Sequence, residues 1–165
     1  MNIPKAIEIA IGTVLREFGG IPNDVAIRMW QTLDKDKTQA DDVDRTFPQI
    51  DVRCAPAKTD ENQCTQSCDC SVLVATSAHD DKDHSQISYL YELVQGVLDR
   101  LFSQFRKQSP GDELNRFNDL MAANAPAGSY EFGGFTFGEA LAPSTADSTN
   151  MIGTTLTVHY GRDDF

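Results

Sequence analysis

Apolar residues recur at Ile3, Ile7, Ala10, Ile11, Val14, Leu15 and Phe18, a spacing that lines them along one stripe of a helix. Asn2 stands before the run as an N-cap, Pro4 opens the first turn, and Gly19 and Gly20 end it. "DVAIRMW" (24–30) alternates well enough to predict a strand, and the polar, charged run "QTLDKDKTQADDVDRT" after it reads as an exposed loop or hairpin tip. Pro48, Ile50, Val52 and Cys54 then share one side of a strand, with Gln49, Asp51 and Arg53 on the other. After a turn at "KTDENQ", Cys64, Gln66, Cys68, Cys70, Val72, Val74 and Thr76 share one face of a second strand, and the two strands predict a hairpin.

The period changes after "HDDKDH". Ile87, Leu90, Tyr91, Val94, Val97, Leu98, Leu101, Phe102 and Phe105 follow helical spacing through about six turns. Asp83 and Gln86 make a capping box for this helix, and the acids before it suit the positive helix N-terminus. "RKQSPGD" breaks it, and "ELNRFNDLMAANA" supports a short helix. Tyr130, Phe132, Phe135 and Phe137 lie among glycines, so a strand with a bulge or bend at Gly133 and Gly134 is expected. "APSTADSTN" reads as a loop of small residues, and Ile152, Thr154, Leu156, Val158 and Tyr160 alternate along a last strand. The expected fold is a single α+β domain over residues 1–165. Its mixed, mostly antiparallel sheet packs against the N-terminal helix and the long central helix, leaving one sheet face free.

Composition adds constraints. Lys and Arg number 14 against 25 Asp and Glu, a net charge of -11 with no basic block, which argues against gripping nucleic acid by its phosphates. An acidic surface does suit a protein beside which DNA must slide without adhering. Glu8, Arg16 and Glu17 interrupt the first apolar run, so it reads as an amphipathic helix and not as an export signal. No window has the roughly 20 apolar residues of a membrane span. The four cysteines are therefore expected to remain thiols in a reducing cytoplasm.

Cys64, Cys68 and Cys70, with Cys54, His79 and His84, supply enough ligand types for zinc. On an extended strand, however, Cys68 and Cys70 stand roughly 6.6 Å apart, whereas two thiolates on one tetrahedral zinc lie within roughly 3.8 Å. Small buried apolar side chains are the preferred reading, and a cysteine-rich metal module is the alternative from a different class. A disulfide between Cys68 and Cys70 fails for the same reason, while Cys54 with a cysteine on the neighbouring strand can meet the geometry. Cys54 or Ser77 can be matched with His79 or His159 as nucleophile and base, but no nucleophile elbow, phosphate loop or H-E-x-x-H motif fixes them. The acidic clusters lack the glycine and distal Glu of a calcium loop. No catalytic, metal or cofactor residue is assigned, and no enzymatic activity is expected.

One arrangement resembles a known family. The strand "CSVLVATSAHDDKD" runs into the helix "HSQISYLYELVQGVLDRLFSQF", with "PQIDVRC" as an earlier paired strand, a helix before both and a β-rich C-terminal end. This order, over roughly Ile3 to Tyr160, resembles the tail terminator (tail completion) proteins of long-tailed bacteriophages. The resemblance implies a virion protein, assembled in the host cytoplasm, that forms a homo-oligomeric ring, commonly a hexamer. Such a ring caps the head-proximal end of the tail tube, stops its polymerisation and meets the neck or head-completion protein, with DNA passing through its channel unbound and no membrane involved. Another neck or joint component of similar fold is the nearest alternative. The loop at Asp34, Lys35 and Asp36 and the aromatic strand at Phe132, Phe135 and Phe137 are the candidate assembly contacts.

Overall fold

A computed structural model describes residues 2–32, 47–60, 65–78, 84–104, 116–125 and 130–162. Helix α1 (Ile3–Arg16) begins as its sequence predicts, with the Asn2 side chain accepting a hydrogen bond from the Lys5 N–H at 2.8 Å. Strand β1 (Ala26–Met29) follows, then a single 3-10 turn over Trp30–Thr32. Trp30 therefore lies outside the strand in which its alternation places it. The Thr32 hydroxyl closes the turn by donating to the Met29 carbonyl at 3.1 Å.

Strands β2 (Gln49–Cys54) and β4 (Thr65–Ser77) pair antiparallel, Ile50 opposite Val74 and Cys54 opposite Cys70. Between them β3 (Lys58–Asp60) pairs with Thr65–Ser67 where the sequence predicts a turn. Its three polar residues carry no apolar alternation, so pairing alone reveals it. Helices α2 (Ser85–Ser103) and α3 (Arg116–Asn124) precede β5 (Tyr130–Phe137), β6 (Leu141–Ala146) and β7 (Thr149–Arg162). The expected bulge is present, since the β5–β7 register shifts between Phe132 and Gly134.

The expected "APSTADSTN" loop is instead a hairpin. β6 pairs with the start of β7, and Asp147 and Ser148 both take positive φ, 50° and 59°, as a type I′ turn requires. All six β6 residues are exposed, which is why no apolar/polar alternation announces the strand. The seven-stranded sheet has the order β1-β2-β4-β7-β5, with β3 on β4 and β6 on β7. Among the described strands, only β1 and β2 run parallel. The expected α+β architecture with a mixed, mostly antiparallel sheet is the one found.

All three helices of the described residues cover one sheet face: α1 over β1 and β2, α2 over β4 and β7, and α3 beside α1 and β5. Helix α2 buries Leu90, Leu93, Val97 and Leu101, whereas Tyr91 and Phe102, expected on that stripe, are exposed. The contact stripe is narrower than the apolar sequence pattern and centred one residue away from it. Its N-cap is His84, at φ 59° and without a side-chain cap bond, while Asp83, on which the expected capping box depends, lies outside the described residues. The Thr76 hydroxyl instead ties the first turn to β4 by donating to the Gln86 carbonyl at 3.0 Å.

The far ends of the helices are tied to one another. Arg100 Nε donates to the Val14 carbonyl at 2.7 Å, satisfying an acceptor of the last turn of α1. Arg116 grips the Glu17 carboxylate with two nitrogens, and the Gln104 side-chain oxygen accepts from the Phe117 N–H at 3.0 Å. The buried apolar side chains form one cluster running from Ile3 to Tyr160.

Candidate functional site

The sheet offers two unlike faces. Even-numbered positions of β4 and β7 point under the helices, where Cys68, Cys70, Val72, Val74, Ile152, Leu156, Val158 and Tyr160 are buried. Odd-numbered positions form the other face, where Asp69, Ser71, Thr155, Thr157 and His159 are half-exposed. Across the middle of this open face lies a shallow cleft of about 660 Å³, bordered by Trp30, Arg53, Asp69, Gly138, Thr155 and Thr157.

Its charged groups are held in place. The Arg53 guanidinium stacks 4.4 Å from the centre of the Trp30 ring and donates to one Asp51 oxygen through Nε at 3.0 Å and Nη2 at 2.7 Å. Asp69 accepts from Lys58 and, at 2.8 Å, from the Thr157 hydroxyl, and these partners hold its carboxyl below the usual carboxylate range. Thr155 donates to the Glu139 carbonyl at 3.1 Å, and Thr136 meets His159 Nε2 at 2.7 Å. Chemically this is a surface of oriented hydroxyls and paired charges beside one exposed aromatic ring.

Of the candidate assembly contacts, Asp34, Lys35 and Asp36 lie outside the described residues. Phe132 pairs opposite Tyr160 at the β5 bulge. Phe135 is half-buried and packs edge-on against Phe117, ring centres 4.9 Å apart, so its ring serves the core. Phe137 is exposed and meets the still more exposed Phe102 of α2 at 6.5 Å. The structure thus brings Phe137 together with a residue whose spacing predicts a core position. Helical phase is the signal that points to Phe102, because it lies one position beyond Leu101 and therefore about 100° around the helix.

Of the pairings of nucleophile and base, those with His159 separate. Cys54 faces the helices and His159 the open face, while His159 pairs opposite Ser67, roughly 33 Å along β4 from Ser77 at about 3.3 Å per residue. His79 and Cys64 lie outside the described residues. Among the described residues no three His, Cys, Asp or Glu side chains gather as metal ligands. Cys68 is buried, and burial pushes its thiol up to about 11.

Two features lie beneath the sheet, the first of them a pairing that the sequence leaves open between Cys54 and a cysteine of the neighbouring strand. The Cys54 and Cys70 sulfurs lie 2.7 Å apart. Glu8, in the middle of the apolar stripe of α1, is fully buried, and neither carboxyl oxygen has a well-formed hydrogen bond among the described residues. Burial pushes its pKa up, and nearby Gln31 and the Cys54 backbone offset this only in part. In comparisons with known proteins, the chain matches no family model and no curated protein.

Proposed function

We propose that this protein is a structural virion subunit of the tail terminator kind, closing into a ring that caps a phage tail tube and joins it to the neck. The supporting observation is the division of labour in its sheet: one face is filled by α1, α2 and α3, and the other is open and carries mainly polar groups. At the sheet edge, Phe137 and Phe102 form an exposed aromatic pair. A ring requires unlike, complementary edges on each subunit, so that the heterologous contact closes by rotation. Exposed aromatics are the residue type that anchors such contacts. The excess of 25 acids over 14 bases suits a channel through which DNA slides.

Light scattering behind size-exclusion chromatography, with electron microscopy of the same fractions, tests this. The expected result is a closed ring with a central pore that binds tube subunits at one end. Phe102→Asp with Phe137→Asp is expected to leave a folded subunit that no longer forms rings. A chain that stays monomeric at high concentration and ignores tube subunits would sink the reading.

A further inference from the structure

We infer that Cys54 and Cys70 form a redox-sensitive cross-strand site that closes to a disulfide in the folded protein. The inference is independent of ring assembly and rests on three observations. The two residues are direct partners in the β2–β4 register. The Ala55 N–H donates to the Asp69 carbonyl at 2.8 Å, which makes the adjacent Cys54–Cys70 pair a non-hydrogen-bonded one, the kind whose side chains approach most closely. The sulfurs of these two free cysteines are 2.7 Å apart, inside the van der Waals separation of two sulfurs, and the roughly 4.5 Å between the Cα atoms of a non-hydrogen-bonded pair lies within the range that a disulfide spans.

The site also selects which cysteines react. Cys68 is two residues from Cys70 on the same strand and fully buried, so the two sulfurs stand too far apart to join while the strand stays extended. Cys70 is buried and further oriented by its contact with the Cys68 carbonyl at 3.7 Å. Cys54 faces the helices like Cys70 but is only half-buried, at the end of β2, and is the more accessible of the two to a reagent.

With glutathione disulfide as oxidant, Cys54 loses its proton and its thiolate attacks one glutathione sulfur. The glutathione S–S bond breaks, and one glutathione leaves as a thiolate that takes up a proton. Cys70, deprotonated in turn, attacks Cys54 Sγ and expels the second glutathione, which is also protonated. Two cysteine thiols are oxidised to one disulfide, one glutathione disulfide is reduced to two thiols, and two protons pass from protein to glutathione. Cys70 and burial hold the Cys54 thiol far above its ordinary range, with Glu8 adding to the effect. Exchange is therefore slow near neutrality and quickens about tenfold per pH unit as the thiolate becomes populated.

The test equilibrates the full chain with glutathione disulfide at rising pH, then maps disulfides by mass spectrometry without reduction. The expected product joins the peptides of Cys54 and Cys70 and raises Tm by about 5–10 °C, because it closes a loop between strands that are already paired. Cys68→Ser is expected to retain that shift, and Cys54→Ser and Cys70→Ser each to lose it. Mapping the unaltered chain identifies the linkage even where a variant fails to fold. A bridge from either residue to Cys64 or Cys68, a stalled glutathione adduct on Cys54, or no linkage at all would overturn the inference.

Discussion

Neighbouring residues of β7 live in different solvents. Leu156 is 1% exposed beneath the helices, while Thr155 and Thr157, one step away on either side, are half-exposed on the open face. The same contrast runs along β4 between Val72 and its neighbours Ser71 and Leu73. Strand alternation is thus put to two uses: one face builds the core and the other keeps a surface of oriented polar groups with Leu73 and the exposed Leu141 beside them. Stability should reside almost wholly on the helix side.

The sharpest way to break this contrast is to truncate one residue from each face. Leu156→Ala is expected to cost about 2–5 kcal/mol in urea unfolding, from lost burial and the cavity left behind. Thr155→Ala next to it should cost within about 1 kcal/mol, since only an exposed hydroxyl and its bond to the Glu139 carbonyl are removed. Equal losses at the two positions would mean that the open face is covered.

Glu8 is the exception on the helix side, a carboxyl in the core. Its unfolded form titrates near 4.5 and its folded form higher. Between those values the folded chain binds more protons, so stability falls as pH rises through that window and stays lower above it. Glu8→Gln removes the charge and is expected to gain roughly 1–2 kcal/mol at pH 7, with the gain shrinking toward pH 4.5. Parallel pH–stability curves for the two proteins would show that the carboxyl is satisfied after all.

What can be read from the sequence follows the same division. Alternation places Ile50, Val52, Val72, Val74, Ile152, Leu156 and Val158, because burial on one face imposes a period of two. The α1 stripe and its Asn2 cap are legible for the corresponding helical reason. β3 and β6 are not, because strands exposed to solvent need no apolar pattern and are set by pairing with β4 and β7. Of the site, the free sheet face and exposed Phe137 are legible. The Trp30–Arg53 stack, the Phe102–Phe137 contact and the choice of Cys70 as partner of Cys54 are not. Each depends on register between segments distant in sequence.

A smaller effect is expected at the hairpin that joins β6 to β7. Asp147 and Ser148 both occupy the left-handed region, where Ser is strained and Gly is not. Asp147→Asn with Ser148→Gly supplies the turn pair best suited to this geometry and is expected to gain about 0.4–1 kcal/mol in thermal unfolding. A loss of stability would show that the open-face hairpin depends on contacts of the native side chains and not on its turn.

The smallest expected effect on folding is also the one most sensitive to assembly. Lys58 and Asp69 form an ion pair whose side chains are 67% and 47% exposed, so Lys58→Ala should cost about 0.5 kcal/mol or less in the isolated subunit and still less at high salt. Lys58 and Thr157 hold the Asp69 carboxyl below its usual range, and their contribution is present above the ordinary 3.8 and lost as pH falls through the lowered value. If rings form through the open face, this pair becomes desolvated at an interface, where removing one partner leaves a buried, uncompensated charge. Lys58→Ala should then weaken ring formation by much more than it weakens folding, as read from the concentration dependence of light scattering. An unchanged ring equilibrium, with the Phe102 and Phe137 variants still abolishing rings, would place the subunit contact at the aromatic edge and leave the polar face to the tube or the channel.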